Sequence, residues 1–325
     1  GNTAVGEASL IASLANNNTG VGFRALFSDT TGDRNVALGV DALKSVVTHS
    51  ANTAIGFEAM KLNTADSNTA VGAYAMDSNS TGGDNTSVGS QSLRANTTGQ
   101  NNVAIGTNSL KNTTTGSKNV GVGSGTLFDN TTGSNNTASG YNALYKNTTG
   151  SYNTASGYKS LFWNTTGSEN TGMGYFSLFA NTTGSNNTAS GYAALQENTT
   201  GSNNTGLGYQ AGYSNSTGSG NVFIGYQAGY SETGSNKLYI GNSSTVNLIT
   251  GDFSSGNLFL GQNSGMVTIE NNADIDGTLE ADAITVNGTA LNTVIAGVTV
   301  SNATLAATAT VTDSTANTNF PIVFH

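Results

Sequence analysis

The chain lacks several of the features by which proteins are commonly stabilised or perform chemistry. It has no cysteine, which excludes disulfide bridges and thiolate metal ligands. Proline occurs once, at Pro321, and the only histidines are His49 and His325. Charged residues make up 9% of the sequence, and an average globular domain has about 25%. Ordinary disordered segments depend on high net charge, so this composition does not indicate disorder.

Long apolar runs and clustered positive charges are also missing. A membrane-spanning helix needs about 20 apolar residues, whereas the longest runs here, such as 294–298, have the length of a strand. The net charge is −9, and the 10 lysines and arginines are scattered. We therefore expect no membrane insertion, no nucleic-acid partner and no cofactor. The chain starts inside a repeat and ends in a strand-like run, so we expect it to be a piece of a longer protein.

What the chain has in abundance is glycine, 43 residues in all, together with Asn, Thr and Ser. A phrase close to Asn-Thr-Ala-Val-Gly recurs through the first 241 residues, and its glycines are spaced by 16 or 17 positions. A fixed short period predicts a stack of equal structural units. Each glycine is expected to turn the backbone at positive φ or to pass close to a neighbouring unit. The structural turn glycines chosen on this basis are Gly106, Gly123, Gly140, Gly157, Gly174, Gly191, Gly208 and Gly225.

Residues 136–152 illustrate one unit. A strand over 136–139 ends at Gly140, a second strand covers 141–145, and a turn follows over 147–151. No unit offers the ten or more periodic residues that a helix needs. The sequence thus predicts an all-β parallel β-roll, or β-solenoid, of about fifteen coils. At about 4.8 Å per coil the rod would be about 70 Å long.

Stacking turns each position of the repeat into a column of side chains. The residue two positions before the glycine is small, as in Ala54 and Ala104, and we expect it to fill a thin interior that cannot also hold the large columns. The next residue then points outward. An exposed aliphatic stripe is an association surface, so we expect a homotrimer that buries it; the alternative is a monomer with a wider core. The stripe comprises Val5, Val21, Leu38, Ile55, Val71, Val88, Ile105 and Val122.

Two further columns follow the glycine. An aliphatic column four residues later runs from Leu10 to Leu195. An aromatic column directly after the glycine is expected on the surface. Its members are Tyr141, Tyr158, Tyr175, Tyr192, Tyr209 and Tyr226.

The phrases at 52–56 (Asn-Thr-Ala-Ile-Gly) and 102–106 (Asn-Val-Ala-Ile-Gly) resemble the head repeats of YadA-like trimeric adhesins. The resemblance covers residues 1–242 and implies a left-handed parallel β-roll with three chains. The family's common unit is nearer 14 residues, and Asn-Thr-Thr-Gly insertions lengthen the second turn here. The longer, Tyr-bearing unit, such as 136–144, is similar to repeats of phage tail-fibre and related surface proteins.

The regular period stops after Gly241. We expect a transition over 243–275, with one delayed coil at 257–261, and then a truncated, β-rich fibre-shaft segment over 276–325. Alternating Val, Ile and Thr predict strands at 266–269, 279–291 and 294–311. The run from Ile284 to Leu291 resembles phage-fibre shafts.

Few residues are candidates for catalysis or metal binding. His49 lies in a turn and is expected to be solvated. Pairs of carboxylates occur at Asp274/Asp276 and Glu280/Asp282, and a glycan-cleaving spike would use such a pair, although a solvated edge is the simpler interpretation. The turns carry Thr and Ser where calcium-binding solenoids need Asp, as at Thr165 and Ser168. We expect no catalytic residue and no metal site.

These observations predict a non-enzymatic segment of a phage tail fibre, which holds a receptor-binding tip at a distance and contributes to host attachment. Its partners would be other fibre or virion proteins and a glycan or protein receptor on the host. The alternative is a bacterial trimeric surface adhesin or extracellular filament. Both place the chain on a virion or on an extracellular cell surface.

Overall fold

The computed structural model describes residues 1–11 and 13–261, and the backbone of 285–286 and 289–290. Within these residues the protein is all-β. Fifteen short strands stack in chain order: Thr3–Val5 (β1), Thr19–Val21 (β2), Val36–Leu38 (β3), Thr53–Ile55 (β4), Thr69–Val71 (β5), Thr86–Val88 (β6), Val103–Ile105 (β7), Val120–Val122 (β8), Thr137–Ser139 (β9), Thr154–Ser156 (β10), Thr171–Met173 (β11), Thr188–Ser190 (β12), Thr205–Leu207 (β13), Val222–Ile224 (β14) and Lys237–Gly241 (β15).

Each strand pairs in parallel with the strand of the next coil, and equivalent residues face each other. Ala138 of β9, for example, lies opposite Ala155 of β10. The same register holds from β1 to β15, which gives fourteen turns of a solenoid. The predicted parallel β-solenoid is confirmed.

The prediction of a second strand in each coil is wrong. Residues 141–146 form a turn, in which Asn142 (φ +54°) and Leu144 (φ +52°) are left-handed. The amides of these two residues bond in opposite directions, Asn142 to Ser124 of the preceding coil and Leu144 to Ser160 of the next. Left-handed geometry costs a leucine roughly 1–2 kcal/mol. Burying its side chain gains about 1.5–3 kcal/mol, which offsets that cost.

The core pairs one small and one large residue in each coil. The middle strand residue, such as Ala138, and the turn leucine, such as Leu144, are both fully buried. The expectation that a thin roll would exclude the large columns is therefore wrong for the leucines. Because the strand contributes only a methyl group or a hydrogen, the turn opposite it has room for a leucine.

Two columns of buried asparagines connect the coils. In the first, the backbone N–H and Nδ2 of Asn153 both donate to Oδ1 of Asn136, at 2.9 and 3.2 Å. In the second, Nδ2 of Asn147 donates to Oδ1 of Asn130 and to the carbonyl of Gly150. These amides satisfy backbone groups that a buried turn would otherwise leave unpaired. The asparagines of the Asn-x-Thr triplets therefore serve to build the turns.

The second asparagine column is interrupted at Thr113. Oδ1 of Asn96, in the coil before it, and Oγ1 of Thr113 itself are buried without a hydrogen-bond partner. A threonine is too short to continue the amide-to-amide bonds, so two polar groups remain unsatisfied at this level.

The core changes at the coil of β14. Phe223 takes the middle strand position that alanine or another small residue holds in β1 to β13, and it is fully buried. Glycines stand at the leucine position on either side of it, Gly212 and Gly229. A Cβ on either glycine would lie within 2.3 Å of the Phe223 ring, so the ring occupies the space of the missing leucines.

Beyond β15 the chain reverses direction. The strands Asn247–Asp252 (β16) and Asn257–Leu260 (β17) form an antiparallel meander with β15. Residues 257–261 are consequently not a delayed coil, because β17 pairs antiparallel to β16. Lys237 Nζ of β15 lies 2.6 Å from Asp252 Oδ2 of β16 and ties the first two strands together.

The chain divides into two units, Gly1–Val267 and Thr268–His325. In the second unit, Thr285–Val286 (β18) pairs antiparallel with Thr289–Ala290 (β19), inside the run from Ile284 to Leu291. The strands expected at 266–269 and 294–311, and the remainder of that expected at 279–291, lie outside the described residues. The same holds for the candidate residues Asp274, Asp276, Glu280, Asp282 and His325.

Candidate interaction surfaces

The turn glycines lie where two adjacent coils approach most closely. Gly157 has φ +130°, and a Cβ built on it would be 2.5 Å from the carbonyl oxygen of Gly174. The other seven chosen glycines have φ between +116° and +135° and meet the next coil in the same way. A side chain at any of these positions would strike backbone, so their contribution is to the stacking itself.

The aliphatic stripe faces outward. Six of its eight members are exposed, from 36% for Ile55 to 57% for Val5, with Ile105 at 42%. Val21 and Val71 are half-buried. From β9 the stripe becomes more polar, because Ser139 and Ser156 take the same position. The outer face of the sheet therefore carries a continuous apolar line along β1 to β8.

The six tyrosines of the predicted surface column stack face to face. Ring centroids of successive members are 4.9 to 5.5 Å apart, with interplanar angles from 3° to 13°. Each side chain is between 37% and 52% exposed. Because neighbouring rings cover the faces, the column presents ring edges and hydroxyl groups to the solvent.

A second aromatic column was missed by the sequence reasoning. Five residues after the glycine, Phe128, Tyr145, Phe162 and Phe179 stack at 4.8 to 5.5 Å. The 17-residue spacing of these rings was the signal that would have revealed it. In earlier coils the same position carries charge, for example Lys61 and Arg94.

The earlier coils also carry ion pairs, some between neighbouring coils and some within one coil. Arg24 Nε lies 2.9 Å from Asp41 Oδ1, and Lys61 Nζ lies 3.1 Å from Glu58 Oε2. The hydrogen bond with Glu58 raises the pKa of Lys61, so this group stays cationic. A partly exposed pair such as Lys61 and Glu58 contributes about 0–1 kcal/mol and sets surface charge more than stability.

An open depression lies at the meander that ends the solenoid. Its lining includes Glu232, Lys237 and Tyr239, and its volume is about 450 Å³. The Tyr239 hydroxyl donates to Glu232 Oε2 at 2.6 Å. Burial and this hydrogen bond raise the pKa of Tyr239 to about 12. Burial opposes ionisation of Glu232, but the bonds from Tyr239 and two backbone amides lower its pKa below the usual value.

The described residues show little that resembles a reaction centre. His49 is half-buried, its carbonyl accepts a hydrogen bond from Asn35, and its Nδ1 atom is buried without a partner. In residues 1–11 and 13–261 no cluster of His, Asp or Glu side chains is arranged to hold a metal ion. That part of the chain also contains no helix long and apolar enough to cross a membrane.

No protein-family model, no curated protein and no solved structure matches this chain.

Proposed function

We propose that this chain is a non-enzymatic structural segment of a phage tail fibre. Three copies associate along their aliphatic stripes and hold a receptor-binding tip away from the particle. The partners of the segment are then other fibre proteins and, through the tip, a receptor on the host surface. The chain works on a virion.

The observation that carries this proposal is the exposed aliphatic stripe on a regular stack. A soluble monomer gains nothing from a line of Val, Leu and Ile that runs along eight successive coils. Equivalent residues of successive coils are in register, so the stripe has one member per coil and a second and a third copy can match it coil by coil. Ile105 and Val122, both about two-fifths exposed, are its last two members before the serines begin.

The buried part of each coil suits a mechanical role. Both asparagine columns and the leucine column connect coils to their neighbours, so unfolding one coil exposes buried groups of two others. Neutral amides form most of these links, and they do not titrate. Such a rod resists extremes of pH as well as proteases, as a particle outside a cell requires.

A bacterial trimeric surface adhesin or extracellular filament is the second candidate. The phrase at 102–106 favours it, since this is where the sequence most closely resembles YadA-like heads. Both candidates share the trimer and the stripe. They differ in the domain that would accompany such a segment, which is a membrane anchor in an adhesin and a tip or chaperone domain in a fibre.

The test is the native mass of the protein by light scattering after size-exclusion chromatography. We expect three times 32.8 kDa. Ile105→Asp should reduce the mass to that of one chain, because it brings like charges together at a shared axis. Thr183→Asp is the matched control; this residue is exposed on a turn and its variant should remain trimeric.

A monomeric wild-type protein would contradict the proposal. So would an Ile105→Asp variant with unchanged mass, since the stripe would then not be the interface.

A further inference from the structure

An open trough on the side of the solenoid combines the one tryptophan of the chain with three polar side chains. Asn112, Asp129, Lys146 and Trp163 occupy the same position, six residues after the glycine, in four successive coils. The trough has a volume of about 500 Å³. Three inter-coil steps of about 4.8 Å make it about 14 Å long.

Threonines form the floor of the trough. The hydroxyl of Thr148 donates to the carbonyl of Thr165 in the next coil, at 2.9 Å. Thr131 and Thr165 make the equivalent bond to their own next coils. Because the hydroxyl groups are held against the backbone in this way, the methyl groups are left to line the floor. The trough therefore has an apolar base beneath a polar wall.

The polar wall retains hydrogen-bonding capacity. Asp129 accepts from Asn112 Nδ2 at 3.0 Å and from Lys146 Nζ at 2.8 Å. An ammonium group has three donors, so Lys146 keeps two for other acceptors. The bond with Asp129 raises the pKa of Lys146, which stays charged. Since the two charges neutralise each other, the trough does not select for a highly charged ligand.

Trp163 differs from the stacked tyrosines of the surface column because its ring is not part of a stack. Among the described ring contacts it meets only Phe162, edge to face, with centroids 5.1 Å apart. The coils on either side place Lys146 and Ala180 at its position. The side chain is 45% exposed. An indole face is therefore free, whereas neighbouring rings cover both faces of a tyrosine such as Tyr192.

We propose that this trough binds a short, uncharged or weakly charged oligosaccharide. A pyranose ring has one apolar C–H face, which would lie on the Trp163 indole and the threonine methyls. Its hydroxyl groups would bond to Lys146, Asp129 and Asn112. A single carboxylate that is already paired does not suit a metal ion, and the net charge of −9 does not suit a nucleic acid. The site lies within one chain and does not depend on the proposed trimer.

The fluorescence of Trp163 can be used to follow binding at the trough. We would screen the full chain against an array of defined bacterial and plant surface oligosaccharides. The bound sugars are then titrated in solution while the fluorescence of Trp163 is followed. We expect at least one oligosaccharide to bind and to shift the emission to shorter wavelength, because stacking removes water from the indole.

Three variants decide where the sugar binds. Trp163→Ala should weaken binding at least about tenfold, since truncation removes the central platform. Lys146→Ala should weaken it less, and Trp163→Phe should recover part of the affinity. Tyr192→Ala is the matched control and should bind as the wild type does. All variants should keep the native mass and the melting temperature of the wild type, because the side chains are exposed.

Two results would overturn the proposal. One is the absence of binding to any oligosaccharide of the array at millimolar concentration. The other is binding that leaves Trp163 fluorescence unchanged, or that Tyr192→Ala abolishes and Trp163→Ala does not. Neither result bears on the native mass, so a failure here is distinguishable from a failure of the fibre proposal.

Discussion

In the coil of β9 the small core residue is on the strand and the large one is on the turn, whereas in the coil of β14 the order is reversed. Ala138 faces Leu144 in the first case, and Phe223 faces Gly229 in the second. The backbone follows the same path in both coils, with left-handed residues at the same places. The position of the large side chain is therefore free to change, and the Phe223 ring fills the space that both Gly212 and Gly229 leave.

The two regions also differ in the chemistry of their links. The regular coils are joined by buried asparagines, as between Asn136 and Asn153. At the meander the links are formed by titratable side chains, with Tyr239 bonded to Glu232 and Lys237 bonded to Asp252. Amides stay neutral at every accessible pH. The asparagine links should consequently be insensitive to pH, whereas the links at the meander should titrate.

The largest effect is expected from a methyl group in the glycine column. Gly157→Ala would place Cβ 2.5 Å from the carbonyl of Gly174 and would require φ +130° of an alanine. We expect a loss of more than about 5 kcal/mol in the free energy of unfolding, measured in urea. Gly256→Ala in the meander is the matched control. It has φ +74° but open space around it, so about 1–2 kcal/mol is expected. Equal losses would contradict the close-contact explanation.

The reversed core offers a direct test by exchange. Phe223→Ala alone should cost about 3–5 kcal/mol through the cavity that it leaves. Gly212→Leu alone should also destabilise, because its Cβ would meet the Phe223 ring. The double variant gives the coil of β13 a regular turn leucine, because the backbone at Gly212 (φ +62°) already resembles that at Leu195 (φ +51°). We expect it to be more stable than either single variant, with a coupling of about 1–3 kcal/mol. Additive losses would contradict the volume argument.

A gain in stability is expected from a substitution that repairs the interruption of the asparagine column at Thr113. Thr113→Asn supplies an amide that can donate to the unpaired Oδ1 of Asn96. The free energy of unfolding should rise by about 1 kcal/mol, measured in urea. The reciprocal variant, Asn147→Thr, removes the donor to Asn130 and should lower stability by about 1–3 kcal/mol. If Thr113→Asn has no effect, the column is not continuous in solution.

The smallest expected effect is a dependence of the free energy of unfolding on pH, which arises from Tyr239 in the meander of β15 to β17. The pKa of Tyr239 is raised to about 12, above the usual value of 10. A raised pKa means that the folded state holds the proton more tightly, so this stabilisation is complete below pH 10 and is lost between pH 10 and 12. Unfolding measured at about pH 9 and about pH 11 should show a smaller decline for Tyr239→Phe than for the wild type. Identical declines would show that the link with Glu232 does not contribute.

Prediction from sequence succeeded where the repeat itself carries the information. The spacing of the glycines predicted the number of coils, and alternation along each strand predicted that Ala104 points inward and Ile105 outward. It failed at 141–145, where the residues look like a strand and form a turn. Leucine disfavours left-handed geometry, so no local preference indicates the conformation of Leu144. The trough at Trp163 was not visible either, because its four polar and aromatic residues are 17 positions apart.

The sequence by itself determined the period, the parallel register and the alternation of buried and exposed residues, because each of these depends on a side chain that recurs at a fixed interval. The tertiary structure decided the shape of the turn, the bonding of the asparagine columns, the exchange of Phe223 with Gly212 and Gly229, and the antiparallel exit. These features depend on contacts between neighbouring coils, or on the end of the stack, where no further parallel strand is added. Such contacts exist only once the coils are stacked.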